Sequence, residues 1–157
     1  LLPTYTFVPP TPSPGGTYTS AEHGFSIIRP AGWVEVSTGS PGEVITLASP
    51  QRFPMVSISV IPVGEGATID GPRLSQKLSQ YWSNYELISQ GAITLDDGTP
   101  AYEIVFTGTA EGQSIKSKSV FLIRGTDVFH ITGYTMPTRF EQDEAAMDEV
   151  IGRFHLE

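Results

Sequence analysis

Three histidines, at positions 23, 130 and 155, and the paired acids Asp96 and Asp97 are the residues of this chain best suited by type to proton or metal chemistry. His130 falls in an alternating segment, on one face with Val128, Thr132 and Tyr134, where its imidazole could serve as a metal ligand, a base or a hydrogen-bonded sheet residue. The last reading is favoured, because a metal site needs three or four convergent ligands and a base needs a nucleophile beside it. His23 precedes Gly24 in a turn, and the pattern puts His155 at the last turn of a helix, where positive charge complements the dipole. Asp96 and Asp97 could act as an acid and base pair or hold calcium, but beside Gly98 they read first as turn formers. No phosphate-cradling glycine loop, helical His pair around a Glu, or Gly-x-Ser-x-Gly elbow is present. Gly64-Glu65-Gly66 lacks the glycine and the basic group that would make it one, and reads as a turn.

The charged and aromatic clusters have plain structural readings. Six acids between residues 137 and 157 (Glu141, Asp143, Glu144, Asp148, Glu149, Glu157) face only Arg139 and Arg153. A solvated helix face is preferred to an acidic docking surface. Lys116 and Lys118 lie two apart on one strand face, as on an edge or solvent-facing strand. Trp82 and Tyr85 continue a helical stripe with Leu74, Leu78 and Tyr81, the spacing that core packing alone predicts.

The elements that must position these groups follow from the hydrophobic period. Phe25–Ile28, Trp33–Val36, Val44–Ala48 and Met55–Ile61 alternate as strands before any helix. Pro72 suits a first helical turn, and the stripe from Leu74 to Tyr85 predicts a helix there. Strands follow at Leu87-Ile88, Ala92–Leu95, Ala101–Thr107, Ile115–Ile123 and Val128–Tyr134, joined by turns at Asp97-Gly98, Gly108–Gly112 and Gly125–Asp127. Thr138 and Glu141 fit a capping box ahead of a closing helix with Phe140, Met147, Val150, Ile151 and Phe154 on its apolar stripe. Runs of strands with one helix midway and one at the end make an α+β fold: a single antiparallel sheet of six to eight strands with α-helices on both faces. Tyr102, Ile104 and Phe106 point to one face while Ala101 and Val105 point to the other, so both faces need cover.

At 157 residues the chain is sized for one domain with a real core. A formal charge of −8 is the wrong sign for nucleic acid or an anionic membrane surface. Cysteine is absent, which excludes disulfides, thiolate nucleophiles and Cys-ligated zinc. Residues 1–16 carry five of the 13 prolines and no charge, the composition of an extended tether, with the domain expected over 17–155. The start at Leu1-Leu2-Pro3 reads as trimmed, and Leu156-Glu157 as a cloning remnant outside the fold. Within the tether, Thr4 to Val8 alternates, and Tyr5, Phe7 and Val8 could add as a strand to a sheet edge, including that of a second copy.

The segment Gly24-Phe25-Ser26-Ile27-Ile28-Arg29-Pro30-Ala31-Gly32-Trp33 resembles the opening of the PsbP-like family: Gly-Phe, alternating apolar residues, then Pro-x-Gly-Trp. Tyr102–Phe106, Phe129–Tyr134 and a terminal helix closing on Phe154 are similar to that family's second half, although Arg29 stands where the family more often has an aromatic. The resemblance implies a sheet with helices on both faces, no catalytic residues and no cofactor. Its relatives include an extrinsic photosystem II subunit, a Ran-binding import factor and bacterial lipoproteins of unknown role. The leading expectation is therefore a non-enzymatic, extracytoplasmic, lipoprotein-type module. It would reach the membrane through a lipid anchor upstream of its arm and bind a protein partner. The alternative is a small-ligand or metal carrier with a pocket between sheet and helix, lined by Tyr102, His130 and Tyr134.

Overall fold

A computed structural model describes residues 15–157. Ten strands run in chain order as β1 (Gly16–Ser20), β2 (Phe25–Arg29), β3 (Val34–Val36), β4 (Glu43–Ala48), β5 (Met55–Pro62), β6 (Ser83–Thr94), β7 (Pro100–Ala110), β8 (Gln113–Arg124), β9 (Asp127–Thr135) and β10 (His155–Leu156). Two helices interrupt them, α1 (Gly71–Tyr81) after β5 and α2 (Phe140–Gly152) after β9. Seven strands form one sheet in the order β3-β4-β5-β9-β8-β7-β6, every neighbouring pair antiparallel. Two meanders, β3 to β5 and β6 to β9, meet along the β5–β9 ladder, which runs from Met55↔Tyr134 to Pro62↔Asp127. The architecture is α+β with a helix on each face, as the strand and helix order predicts.

A second sheet, β1-β2-β10, is an addition to that expectation. Leu156 pairs with Phe25 and His155 with Ser26, so the closing residues are part of the fold and not outside it. Two residues are too few to show a period, and β10 was invisible to pattern for that reason. The same ladder moves His155 off the helix, which ends at Gly152, and sets its Nδ1 3.2 Å from Asp97 Oδ2.

Period-two alternation divides the large sheet into two unlike faces. Leu47, Val56, Ile58, Val60, Val105, Val120, Leu122, Phe129 and Ile131 lie on the face beneath α2 and β2, in one core with Phe25, Ile27, Met147, Val150, Ile151 and Phe154. Phe25 stacks on Phe154 with centroids 5.3 Å apart, and Phe129 meets both rings edge-on. Gly133 on β9 gives α2 its seat: a Cβ there would stand 3.1 Å from Met147 Sδ and Ile151 Cδ1. Lys116 and Lys118 also lie on this face, on the interior strand β8, contrary to an edge position. Lys118 Nζ meets Asp148 Oδ1 at 2.7 Å and Lys116 Nζ sits 4.2 Å over the Phe140 ring, so α2 supplies the cover that a sheet edge would have made unnecessary.

On the opposite face, Ile104, Phe106, Ile115 and Phe121 pack under α1 with Leu74, Leu78, Trp82 and Tyr85. Trp82 and Tyr85 belong to this core as their spacing predicts, but not to the helix. The chain turns extended at Trp82, β6 starts at Ser83, and Tyr81 is 79% exposed. Pairing of β6 with β7 from Ser83↔Thr109 claims these residues before a fourth helical turn can form. Leu87-Ile88 and Ala92–Leu95, expected as separate strands, are mostly one bulged edge strand, β6. α1 itself starts on an Asp70 cap, whose Oδ1 accepts from Arg73 N.

The expected capping box on α2 is absent. A short 3-10 turn (Pro137–Arg139) leads straight into α2, so Thr138 is already helical and Arg139 occupies the cap position without a side-chain bond. Asp143 serves as an internal tie instead, accepting from Thr135 Oγ1 at 2.6 Å and Arg139 Nε at 3.2 Å. With Asp148 and Glu144 paired to Lys118, three of the six acids expected on a solvated helix face are engaged within the fold.

Candidate functional site

The two faces of the large sheet are covered unequally. Seven strands at about 4.8 Å spacing span about 29 Å, whereas a helix is about 10 Å across and hides roughly two strands. On one face α2 is joined by the β1-β2-β10 sheet. On the other, α1 packs chiefly on β6 and β7, with Ile115 and Phe121 of β8 at its inner edge, and β9 and β5 run out from beneath it. A cavity of about 920 Å³ occupies the uncovered half. Its floor is β5, β9 and β8. One wall is α1 with Leu74, Lys77, Leu78 and Tyr81, continued by Trp82 just past its end, and the other is β3, β4 and the loops after them, with Val34, Val36, Pro41, Ala48, Arg52 and Phe53.

The floor is built by register. Thr46, Ser57, Thr132 and Ser119 face one another across β4, β5, β9 and β8, a row of four hydroxyls at right angles to the strands. Thr46 Oγ1 and Ser57 Oγ are 2.5 Å apart. In the next row Ser59, His130 and Phe121 are in register, with the His130 ring stacked on Phe121 at 4.3 Å between centroids. His130 Nε2 lies 2.6 Å from Thr132 Oγ1. Burial lowers the His130 pKa from 6.5 to about 4, so the imidazole is neutral at ordinary pH. Among the described residues no carboxylate comes within 4.0 Å of that ring. A neutral imidazole against a hydroxyl resembles half of a nucleophile and base pair, but the acid that would orient it is missing.

The wall opposite α1 is held by Glu43. Desolvation raises the pKa of its carboxyl, but hydrogen bonds from Thr38, Thr46 and Ser37 outweigh that effect and bring it from 4.5 down to about 2. Thr38 N donates to both carboxylate oxygens at 3.1 and 3.0 Å, Gly39 N donates at 3.3 Å, and Thr46 Oγ1 links the group to the floor at 2.5 Å. The segment from Ser37 to Ser40, which lines the mouth, is thus folded around one anion. Burial pushes the Tyr134 phenol above its ordinary value, with Glu43 adding to the effect and Ser57 and Arg52 opposing it.

Of the residues singled out in sequence, His130 and Tyr134 lie on this cavity. Tyr102 lies apart from it, with its ring under Gly71 and its hydroxyl donating to Gln90 Oε1 at 3.1 Å. Tyr5, Phe7 and Val8 lie outside the described residues. Asp97 is a turn former, its Oδ1 accepting from Thr99 N at 2.9 Å. Among the described residues, no cluster of three or more His, Asp or Glu side chains could hold a metal ion. Ser57, Ser59 and Ser119 were passed over in sequence, and Thr132 was noted only as sharing the strand face of His130. Small hydroxyls at alternate positions of otherwise apolar strands were their only signal, and the row they form exists only once the register is known.

No protein-family model matches the chain, and no curated protein matches it in sequence. Solved structures do share its fold. Cyanobacterial PsbP (CyanoP) from Synechocystis superposes with a TM-score of 0.73 at 17% identity, covering 91% of this chain and 92% of that one. LpqN, described as involved in cell envelope biogenesis of Mycobacterium tuberculosis, gives 0.55 at 16% identity over 93% and 89%. A Pseudomonas aeruginosa protein of unknown function, described as a putative regulator, gives 0.52 at 17% identity over 86% and 92%. The fold is therefore PsbP-like, in agreement with the resemblance read at Gly24–Trp33.

Proposed function

We propose that this protein is a non-enzymatic carrier that binds a small, mostly apolar ligand in the cavity between α1 and the large sheet, and that it works outside the cytoplasm, held by its N-terminal arm. The observation that carries this reading is the cavity itself. Its about 920 Å³ falls in the range of small-molecule sites, and apolar walls around a few convergent hydroxyls are the usual composition of such sites. The binding chemistry on offer is burial of apolar surface on Phe53, Met55, Phe106, Ile115 and Phe121, with orientation from Ser57, Ser59, Ser119 and Thr132. An incompletely assembled His130 and Thr132 pair supports carriage over catalysis.

Titration with the neutral solvatochromic dye Nile red tests the reading. Saturable one-to-one binding is expected, abolished by Thr132→Trp on the floor and retained by Ile88→Trp on the far edge strand. Binding that ignores Thr132→Trp, or no binding at all, rejects the cavity as the site. The location is supported by the uncharged proline-rich arm and by the fold shared with PsbP and LpqN. Fractionation of the full-length protein tests it, with recovery in the cytoplasmic fraction as the contrary result.

Docking of a protein partner is a second reading, favoured by β6. This twelve-residue strand is the outer edge of the large sheet and leaves Leu87 and Ile88 39% and 50% exposed. Two register shifts along it work against pairing with another strand, as bulges on edges do. Leu87→Lys with Ile88→Lys would abolish partner binding on this reading and leave dye binding intact.

A further inference from the structure

The charges on the cavity oppose the charge of the molecule. The chain carries −8, yet two cations, Arg52 and Lys77, stand on the cavity lining against a single acid, Glu111. The two cations come from different walls, Lys77 from α1 and Arg52 from the turn between β4 and β5. Among the described residues neither has a carboxylate within 4.0 Å, so both are open to an anion from outside the chain. The Arg52 guanidinium is placed over the Phe53 ring, 5.4 Å from its centroid, a contact that holds it at the cavity wall. Glu43, on the wall opposite α1, is occupied by donors from its own loop and by Thr46, and forms no ion pair with either cation. The rest of the lining is made of apolar side chains and neutral hydroxyls, with His130 uncharged above about pH 4.

We propose that the ligand is a single-chain amphiphile with one negative charge, a long-chain carboxylate of the fatty-acid class. Its head pairs with Arg52 and Lys77 and its chain lies along Phe53, Met55, Ile115 and Phe121. This rests on the carrier reading above and adds the sign of the head group to it. A negative molecule repels anions at long range, so an anion that settles against these two cations needs apolar surface to bury as well as charge to pair. A carboxylate on an alkyl chain meets both conditions. A charge-assisted bond to its oxygens is about twice as strong as a neutral one.

The test compares three sixteen-carbon probes on the full chain, palmitate and hexadecyltrimethylammonium below their micelle concentrations and hexadecanol below its solubility limit, read by displacement of Nile red. Palmitate is expected to bind about tenfold more tightly than the alcohol and more tightly still than the cation. Lys77→Gln, on an exposed helix position, and Arg52→Gln should each weaken palmitate severalfold and leave the alcohol unchanged. Equal affinity for palmitate and hexadecanol overturns the anionic assignment while leaving the carrier reading standing. Failure of all three probes and of the dye overturns both. Binding to phosphatidylglycerol vesicles without binding of monomeric palmitate also overturns it, because the cations would then be reading a membrane surface.

Discussion

Gly71 rests on Tyr102 so closely that a Cβ at position 71 would stand 2.1 Å from the phenol carbon and oxygen. Position 71 opens α1, and Tyr102 is in β7, so this contact sets the height at which α1 lies on the sheet and thereby places one wall of the cavity. Gly71→Ala is expected to destabilise the fold by about 1–3 kcal/mol, the range for overpacking a filled site. Tyr102→Leu should restore part of the loss in the double variant, as coupled neighbours do. Urea unfolding of the two single variants and the double variant checks this, and strictly additive losses would contradict the contact.

Lys118 is nearly buried, its side chain 12% exposed, and holds Asp148 and Glu144 of α2, which are about half exposed. Taking both acids away leaves an ammonium under the helix with no partner, whereas replacing the lysine by an apolar chain of like length removes the charge itself. Asp148→Asn with Glu144→Gln is therefore expected to cost about 2–4 kcal/mol and Lys118→Met less than about 1 kcal/mol. Thermal unfolding of the two variants should rank them in that order.

His130 titrates near 4 in the folded state and near 6.5 when unfolded. Between these values the unfolded chain takes up a proton that the folded chain refuses, so stability falls as pH is lowered from about 6.5 to about 4 and levels off below. The full effect is about 3 kcal/mol at most. His130→Gln should flatten that slope in unfolding experiments at pH 7, 5.5 and 4. Glu43 acts in a lower window: its folded value of about 2 lies below 4.5, so the stability it lends is present above 4.5 and is lost as pH falls toward 2.

Glu43→Ala removes the acceptor shared by the Thr38 and Gly39 amides and the Ser37, Thr38 and Thr46 hydroxyls. Loss of about 1–3 kcal/mol is expected, the range for orphaning hydrogen-bond donors. Amide exchange at Thr38 and Gly39 should accelerate selectively, while that at Ile58 and Ile131 in the sheet centre follows global unfolding alone. Ligand or dye affinity should fall as well, because the cavity wall loses its anchor.

Local periodicity carried much of the fold. Alternation at Met55–Ile61 and Val128–Tyr134 was enough to place β5 and β9, and Ala101 and Val105 against Tyr102, Ile104 and Phe106 was enough to require cover on both faces. It misled where pairing outranked helical spacing, at Trp82 and Tyr85, and where a backbone already in a 3-10 turn denied Thr138 its capping position. Cation placement shows the same limit: Lys116 and Lys118 look like an edge in sequence because nothing there reveals that α2 returns over them.

The amino-acid order alone determined the class of fold, the two-sided sheet and the absence of thiol chemistry, since each depends on residue type and on contacts between near neighbours in the chain. Only the tertiary structure decided that there is a cavity and what lines it. Its existence comes from the unequal cover of the two faces. Its hydroxyl row comes from the register of four strands whose partners lie up to about 75 residues apart, as Ser57 and Thr132 do, and no local pattern encodes such a pairing.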